Sequence, residues 1–450
     1  MAPKKVLVAG AGIAGLGAAW QLSRRGYDVI LTERESRCGG RARSEVRDGF
    51  AIESSGGIIS TADRALLSWI GELGLSDDLL PLRPVSSAMV YRDRSAAVDA
   101  RDWRGIARIP GIKKRHAIRL ARLPRLDARY GGRIDPDRPE RAAGLDDRSL
   151  ADFGGLYFGK TTVDRWMAPL VTRESLGDAQ NASRVLFLLH YRRDPRARLG
   201  LLRSAFGEIA ERAGTLLSAR FGVEVTSVDA LRSGCVRVED TRGSAEVDAV
   251  VLATSAPVAA RVSDAALTLA ERDAFEKVRY LPALRLVVAL RRPFSSHPQF
   301  IQFPADEDSP LESVTLEYGL KGGRAPEGHG LALLRAKGAW SRRYFSAPDK
   351  IVKKQLIEAM GRVLPRIHGA ALFTQLLREP YAVPVFEVGR YREIADFHRI
   401  QADQRANGRR IYFAGDYLMG PGWDAALRAG MRTAAAVEQD LGAADSAPSR

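Results

Sequence analysis

The sequence predicts an α/β fold, and two observations at opposite ends of the chain support that prediction. Near the start, a short apolar run leads directly into Gly10, Gly12 and Gly15 in the spacing G-x-G-x-x-G, then into a helical pattern and a second apolar run ending at Glu33. Near the end, residues 410–416 form another apolar run, followed by a glycine-rich stretch and a helical pattern. A glycine turn between a buried strand and a helix is typical of Rossmann-type dinucleotide-binding units. We therefore predict a Rossmann-type domain that draws on both ends of the chain.

The opening glycine motif predicts a phosphate-binding turn. Gly10 permits the tight turn, Gly12 lets the backbone approach a pyrophosphate, and Gly15 lets the helix pack close to the strand. Ile13 and Ala14 lie at the helix N-terminus, whose free N–H groups and positive dipole end favour phosphate.

Glu33 ends the second predicted strand. A carboxylate roughly 20 residues beyond the glycine turn can accept hydrogen bonds from an adenosine ribose. The alternative is a glycine-rich turn in an ordinary α/β protein. Strand, helix, second strand and terminal acid all occur in register, which favours the dinucleotide site.

Length and composition limit the class of protein. A chain of 450 residues predicts two or three domains, and 45% hydrophobic with 27% charged residues is typical of a folded globular protein. No run approaches the roughly 20 apolar residues of a membrane-spanning helix. The first strand starts at residue 5, ahead of which there is no room for a signal peptide, so we expect a cytoplasmic protein. Two cysteines, Cys38 and Cys235, and six scattered histidines predict neither a disulfide framework nor a metal site.

The net charge of +15 has several explanations. Nucleic acid, an anionic membrane surface and an acidic substrate would each suit a basic protein. The alternative is a composition that simply favours arginine. Because the sequence has no nucleic-acid-binding motif and no ladder of alternating aromatic and basic residues, we expect no specific nucleic-acid partner.

Residues 34–43 follow Glu33 and read Arg-Glu-Ser-Arg-Cys-Gly-Gly-Arg-Ala-Arg. This stretch resembles the E-x-x-x-x-x-G-G-R-x-x stretch of one superfamily, the flavin-dependent amine oxidases, protoporphyrinogen oxidases and phytoene desaturases. The resemblance implies a GR2-like FAD-binding domain with non-covalent FAD, contacted by Arg34, Gly39, Gly40, Arg41, Ala42 and Arg43. Glycines allow close main-chain approach and a guanidinium complements phosphate. The alternative is a basic surface loop.

Two further stretches resemble parts of the same FAD domain. Residues 50–59 resemble its next segment, and this resemblance implies that Gly56 and Gly57 lie near the flavin. The alternative is that these residues form a plain hairpin turn. The strand at residues 221–228 implies that the backbone of Val225 lies against the adenine.

The closing stretch resembles the family signature that ends in Ala-Gly-Asp followed by a helix. The resemblance implies that Gly415 and Asp416 lie beside the ribityl chain or pyrophosphate. The helix beginning with Trp423, Asp424 and Ala425 would direct its N–H groups at the flavin pyrimidine and stabilise negative charge there. Trp423 is also a candidate substrate-facing catalytic residue, with packing as the alternative role.

The resemblance divides the chain into a discontinuous FAD-binding domain, an inserted substrate-binding domain with a mixed sheet and helices, and a flexible tail. The assigned residues are 1–70, 200–265 and 405–440 for the first, 71–199 and 266–404 for the second, and 441–450 for the tail. Within the second, residues 131–146 are rich in Gly, Pro, Asp and Arg and predict an exposed loop.

Arg285 is the second candidate catalytic residue. Amine oxidases have a lysine near the flavin, eight residues before a Pro-Phe pair, and here Arg285 occupies that position before Pro293 and Phe294. Arginine stays protonated and does not relay protons as a tuned lysine does. Residues 381–389 resemble a protoporphyrinogen oxidase stretch, although an ordinary strand and turn would read similarly.

The implied function is hydride removal from a bulky, largely apolar small molecule to FAD, as in protoporphyrinogen oxidases or desaturases. The substrate would be a tetrapyrrole, polyene, isoprenoid or related secondary metabolite. A flavin amine or amino-acid oxidase and a non-catalytic flavin-binding protein are the alternatives. Because no second G-x-G-x-x-G is present for a nicotinamide, we expect oxygen or a quinone as the electron acceptor.

Residues 101–130 contain ten Lys and Arg residues against Asp102 and Asp127, with apolar residues interleaved. Such a segment suits peripheral contact with an anionic membrane. The alternative is the solvated face of a helical substrate domain.

Overall fold

A five-stranded sheet, a seven-stranded sheet, three smaller sheets and a set of helices make up the described part of the chain. The computed structural model describes residues 3–53, 58–77, 86–99, 102–194, 196–202, 205–318 and 324–442. The strands in these ranges are β1 (Lys5–Ala9), β2 (Asp28–Glu33), β3 (Ser44–Arg47), β4 (Phe50–Glu53), β5 (Ile58–Ser60), β6 (Ser87–Tyr91), β7 (Arg94–Ala97), β8 (Leu199–Leu201), β9 (Arg220–Phe221), β10 (Val225–Ala230), β11 (Val236–Asp240), β12 (Gly243–Val247), β13 (Ala249–Leu252), β14 (Tyr280–Leu290), β15 (Phe300–Gln302), β16 (Leu311–Glu317), β17 (Gly330–Ala336), β18 (Ala371–Pro384) and β19 (Ile411–Phe413).

The helices connect and cover these strands. In the described ranges they are α1 (Ile13–Arg24), α2 (Arg64–Glu72), α3 (Trp103–Ala107), α4 (Lys114–Arg119), α5 (Leu123–Tyr130), α6 (Leu150–Tyr157), α7 (Lys160–Thr162), α8 (Ala168–Ser175), α9 (Arg184–Arg193), α10 (Phe206–Leu216), α11 (Ala256–Val262), α12 (Leu269–Glu276), α13 (Gly338–Tyr344), α14 (Asp349–Val363), α15 (Arg390–Ala406) and α16 (Trp423–Leu441). None of them is both long enough and apolar enough to cross a bilayer.

A parallel sheet of order β9-β2-β1-β13-β19 confirms the predicted Rossmann-type architecture. Its central strand β1 is apolar from Val6 to Ala9 because both of its faces are covered there, and Val6 and Val8 are fully buried. On one face α1 packs against α16, and a Cβ at Gly430 would overlap the carbonyl oxygen of Ala14. The strands come from three separate parts of the chain, so the ends of the sequence meet in one sheet.

A second, mixed sheet has the order β18-β14-β17-β16-β15-β6-β7. Its neighbouring strands are antiparallel except for the parallel pair β15 and β6. Helix α14 covers one face of this sheet through an apolar cluster that includes Val352 and Leu356. Strands β14 and β17 are neighbours in this sheet, and they carry Arg285 and Arg335.

Helices α3–α9 form a separate apolar core beside the mixed sheet. The prediction of an exposed loop over residues 131–146 is wrong in part. Pro139–Leu145 forms a 3-10 helix in which Ala142 and Leu145 are buried. This helix lies against α15 and α9, and its burial there could not be read from a composition rich in Gly, Pro and charge.

Candidate active site

A cleft of about 1490 Å³ opens beside the carboxyl ends of β1, β2 and β13. In open parallel sheets this edge is where nucleotide ligands bind. The residues predicted to contact the cofactor that line this cleft are Gly10, Gly12, Ile13, Ala14, Glu33, Arg34, Gly39, Gly40, Arg41, Arg43, Val225, Gly415, Asp416 and Trp423. Gly56 and Gly57 lie outside the described residues.

The glycine turn has the geometry of a phosphate cradle. Gly10 has φ +101°, a conformation that favours glycine. A Cβ at Gly15 would overlap the carbonyl oxygen of Gly10, so Gly15 serves helix–strand packing and lies behind the cleft. A Cβ at Gly12 would meet no atom within 4 Å and would occupy the cleft itself.

Glu33 is buried at the end of β2 and holds the turn in place. Its Oε2 accepts the N–H of Ala11 at 2.8 Å, and its Oε1 accepts the N–H of Glu35 at 2.9 Å. A carboxylate has about four acceptor positions, so two backbone bonds leave room for ribose hydroxyls from the cleft.

Arg41 makes a two-pronged ion pair with Asp416, with N···O distances of 2.8 and 2.9 Å, and also donates to the carbonyl oxygen of Ala382 at 2.9 Å. Burial lowers the pKa of Arg41, but the charge and hydrogen bonds of Asp416 more than reverse this, so the net pKa lies above its usual value. The pair ties the loop after β2 to the closing loop of the chain and to β18. The side chain of Ala42 turns into the core, whereas Arg43 is exposed at the cleft.

Asp424, in the first turn of α16, is only 2% exposed. Its Oδ1 accepts the N–H of Leu66 at 3.0 Å, and its Oδ2 accepts from Arg193 at 2.6 Å and Arg428 at 2.7 Å. Its carboxylate therefore anchors α16 to α2 and α9. This anchoring role was not part of the sequence prediction, which placed Asp424 at the cofactor.

Trp423 begins α16 and lines the cleft on one side. Its ring stacks on Phe206, with ring centres 5.4 Å apart and an interplanar angle of 28°. The same residue also lines a second cavity of about 900 Å³, together with Ala425. Trp423 therefore packs on Phe206 and also lines the cavity, and its substrate-facing role stays a prediction.

The second cavity adjoins the cleft at Arg41, Asp416 and Trp423, which line both. Ionisable side chains make up half of the residues that line it. They are Arg41, Arg173, Arg193, Arg285, Arg335, Asp63, Glu174, Asp416 and Asp424.

The basic side of this cavity is built on the mixed sheet. Arg285 of β14 and Arg335 of β17 are cross-strand partners, and Arg285 is 7% exposed. Burial, and then the neighbouring Arg335, lower the pKa of Arg285 to about 9. Arg335 donates to the carbonyl oxygen of Arg173 at 2.8 Å and lies 3.8 Å from Glu312. Three guanidinium groups thus belong to one wall.

Asp63 and Glu174 are acids that line the same cavity near Arg193. Asp63 accepts the N–H of Ser60 at 2.8 Å, and its other oxygen lies 3.8 Å from Arg193. Burial, and then the charge of Glu174, raise the pKa of Asp63 to about 7, and Asp424 acts in the same direction. The cavity is therefore lined by acids as well as by arginines, and Glu174 lies 3.4 Å from Arg173.

Sequence reasoning identified Arg285 and missed Arg173, Arg335, Asp63 and Glu174. One signal was available, because Arg335 interrupts an apolar strand just as Arg285 does. A cation inside a buried strand needs a partner or a function. Of the other three, Arg173 and Glu174 are consecutive residues of α8 and Asp63 directly precedes α2, and no local pattern marks them as cavity residues.

Comparison with known proteins identifies the family. Residues 13–438 match the family model described as flavin containing amine oxidoreductase. The chain belongs to this family.

The curated proteins that this chain resembles are named for different enzymes. A putative flavin-containing monoamine oxidase from Mycobacterium tuberculosis is 30% identical over 283 residues, which span 57% of this chain and only 58% of that relative. A coproporphyrinogen III oxidase from Propionibacterium freudenreichii is 26% identical over 510 aligned positions, covering 99% of this chain and 93% of the relative.

Solved structures share the fold. A putrescine oxidase bound to putrescine has a TM-score of 0.76 and 18% identity, covering 97% of this chain and 99% of that one. A putative protoporphyrinogen oxidase from Exiguobacterium has a TM-score of 0.75 and 16% identity, covering 98% and 100%.

FAD is the cofactor of this family, and the cleft fits it. A Cβ at Gly12 would meet no atom within 4 Å, so the backbone there is open to a pyrophosphate, and the N-terminus of α1 faces the same cleft. Glu33 lies beside it, and Trp423 with the start of α16 lies where the cleft meets the second cavity. Glu33 would hold the adenosine ribose, Gly12 and the N-terminus of α1 would hold the pyrophosphate, and Trp423 with the start of α16 would hold the ring end.

Proposed function

We propose that this protein is an FAD-dependent oxidoreductase that removes a hydride from a bulky substrate carrying carboxylate groups, with a porphyrinogen-type tetrapyrrole as the leading candidate. The observation that carries the proposal is the basic wall of Arg173, Arg285 and Arg335 in the cavity beside Trp423. When bound, FAD supplies the acceptor for the hydride. The chain supplies position, charge and exclusion of water.

The basic wall supports recognition of carboxylates. A guanidinium binds a carboxylate through two parallel hydrogen bonds, and low exposure strengthens the attraction. Arg285 and Arg335 repel each other, as the lowered pKa of Arg285 reflects, so an anion between them would relieve that repulsion. Ile58, Leu199 and Val383 supply apolar surface in the same cavity for the body of the molecule.

The substrate classes predicted from the sequence differ in how well they would fit these arginines. A hydrocarbon polyene or isoprenoid would desolvate the arginines without replacing their hydrogen bonds, which is unfavourable. A simple amine would bring a cation towards Arg285 and Arg335. A porphyrinogen combines a large apolar body with carboxylate side chains. The coproporphyrinogen III oxidase that aligns with nearly the whole chain adds weight to this choice.

An amino-acid oxidase is the second candidate. Asp63 and Glu174 line the same cavity as the arginines, and a substrate with both a carboxylate and an ammonium would meet groups of opposite charge there. For either substrate we propose oxygen or a quinone as the final electron acceptor, because the sequence has no second glycine motif for a nicotinamide.

Anaerobic titration of the FAD-loaded protein tests the proposal. The oxidised flavin absorbance is followed while coproporphyrinogen, protoporphyrinogen, a polyene, an aromatic amine and an α-amino acid are added separately. Rapid bleaching by a porphyrinogen is the expected result. Bleaching by the amino acid alone would favour the second candidate, and bleaching by the polyene or amine alone would overturn the role given to the arginines. No bleaching by any of them would support a flavin-binding protein without turnover.

A further inference from the structure

We propose that the outer surface of α3–α5 docks the protein on an anionic lipid membrane. This surface, called the basic face below, consists of exposed Lys and Arg side chains. They are Arg104, Arg108, Lys113, Lys114, Arg115, Arg119, Arg122, Arg125 and Arg129. In the part of the chain that the structure describes, no ion pair joins any of these nine to an acidic side chain.

The acidic residues in this segment are already used locally. Asp102 caps α3 by accepting the N–H of Gly105 at 2.7 Å. Asp127 pairs with Arg192 of α9 at 2.8 Å. The charge of the basic face is therefore not neutralised from within, and it complements a surface of opposite sign.

Large apolar side chains project from the same surface. Trp103 is 61% exposed, Ile118 is 75% exposed and Leu156 of α6 is 62% exposed. They are among the ten large hydrophobic residues of the described chain that are exposed to solvent. Such residues serve no core, and a tryptophan among cations is typical of proteins that insert into a membrane interface.

Contacts between the helices place these side chains on one continuous surface. Helix α4 packs against α3. Arg122 donates to the carbonyl oxygen of Tyr157 at 2.8 Å, directly beside Leu156. A Cβ at Gly159 would lie 3.3 Å from Arg119, so the end of α6 borders α4. Leu156 and Ile118 therefore emerge among the cations of the basic face.

The inner side of the same helices is fixed in the protein core. The side chains that face inwards are 2–8% exposed. They are Ile106, Ile109, Ile112, Leu120, Leu123 and Leu126. Trp103 and Ile118 cannot turn inwards without displacing this packing, so they remain available to a partner outside.

The combination favours lipid over nucleic acid. Phosphate groups would satisfy the nine cations in either case, but a nucleic-acid backbone offers no apolar phase for exposed Ile118 and Leu156. The interface of an anionic bilayer offers both, with charge outside and acyl chains beneath. The contact is peripheral, because no helix over the described ranges is able to span the bilayer.

Vesicle co-sedimentation of the full-length, FAD-loaded protein tests the proposal. Phosphatidylcholine vesicles with and without phosphatidylserine are compared at low and high salt. We expect binding only with phosphatidylserine and loss of binding as salt rises. Reversing Lys113, Lys114 and Arg115 to Glu should reduce partitioning at least about fivefold, whereas reversing Lys350, Lys354 and Arg362 on α14 should have a much smaller effect.

The apolar contribution needs a separate pair of variants. Ile118→Asp should weaken vesicle binding, and the matched control Leu269→Asp, at an 81% exposed position on α12, should not. Equal losses in both variants, or no binding to anionic vesicles, would overturn the proposal. Binding of duplex DNA that exceeds vesicle binding and is unchanged by Ile118→Asp would assign the basic face to nucleic acid instead. Flavin content and the anaerobic titration are independent of these outcomes.

Discussion

Gly12 has an extended backbone with φ −74°, and a Cβ built on it meets no protein atom within 4 Å. Valine is therefore compatible with the folded chain but places its side chain in the cleft where the pyrophosphate must approach. We expect Gly12→Val to fold normally and to purify without flavin, measured as the ratio of flavin to protein absorbance together with the melting temperature. A yellow, stoichiometric Gly12→Val preparation would refute the placement of FAD. Gly15→Val is the contrast, since its Cβ overlaps the oxygen of Gly10 and the fold itself should be destabilised.

Arg335 is the residue at which the basic wall can be tested without touching the lysine-equivalent position. Arg335→Gln removes one charged, hydrogen-bonding partner of the proposed carboxylate. We expect KM to rise by about 10- to 100-fold with FAD content unchanged, because a hydrogen bond to a charged group contributes about 1.5–3 kcal/mol. Steady-state kinetics with the best substrate from the anaerobic titration measures this. Arg366→Gln, at an exposed position away from the cavity, is the control, and an equal effect there would remove Arg335 from the site.

Asp63 should make stability depend on pH. Burial and Glu174 raise its pKa to about 7, against about 3.9 in an unfolded chain. An acid with a raised pKa stabilises the fold fully below pH 4, and this contribution is lost as pH rises through 7. Asp63→Asn removes that loss. The melting temperature of the variant minus that of the wild type should therefore be larger at pH 8 than at pH 5. Glu276→Gln, at an exposed position, should show no such change, and a pH-independent difference for Asp63→Asn would contradict the prediction.

At the scale of elements, α16 depends on Asp424. Asn at this position keeps the shape and the bond to the N–H of Leu66, but leaves Arg193 and Arg428 facing a neutral group. Breaking a buried ion pair by neutralising one partner costs about 3–5 kcal/mol. We expect Asp424→Asn to lower the free energy of unfolding by roughly that amount, measured by denaturant titration. Asp273→Asn, which removes an exposed pair with Lys277 on α12, should cause no measurable loss, and a similar result for Asp424→Asn would show that the cluster does not anchor α16.

Elements also show where sequence reasoning succeeds. Strand β1 starts at residue 5 and β2 ends at Glu33, as predicted, because buried parallel strands are mostly apolar runs that end at a turn or an acid. The exposed-loop prediction at residues 131–146 failed because burial of Ala142 and Leu145 depends on α15, more than 240 residues further along the chain. Long-range packing of this kind leaves no local pattern.

For the whole molecule, charge is distributed unevenly. The net charge of the chain is +15. Two of its regions concentrate positive side chains, namely the basic face on α3–α5 and the arginine wall inside the second cavity. The first is exposed and therefore screened by salt, whereas the second is buried and screened much less. Vesicle binding should accordingly fall with ionic strength under conditions in which KM for a carboxylate substrate changes less.

The sequence by itself determined the FAD-binding unit and the family, because a glycine turn between strand and helix, a terminal acid and a closing Ala-Gly-Asp stretch are local patterns with local physical causes. Only the tertiary structure decided which charged residues line the second cavity. Asp63, Glu174, Arg285 and Arg335 come from four distant segments, and their charges meet because the mixed sheet aligns β14 with β17 and the helices close over it. The tertiary structure also turned Ala42 into the core and gave Asp424 its arginine partners, since side-chain direction and pairing depend on neighbours that are remote in sequence.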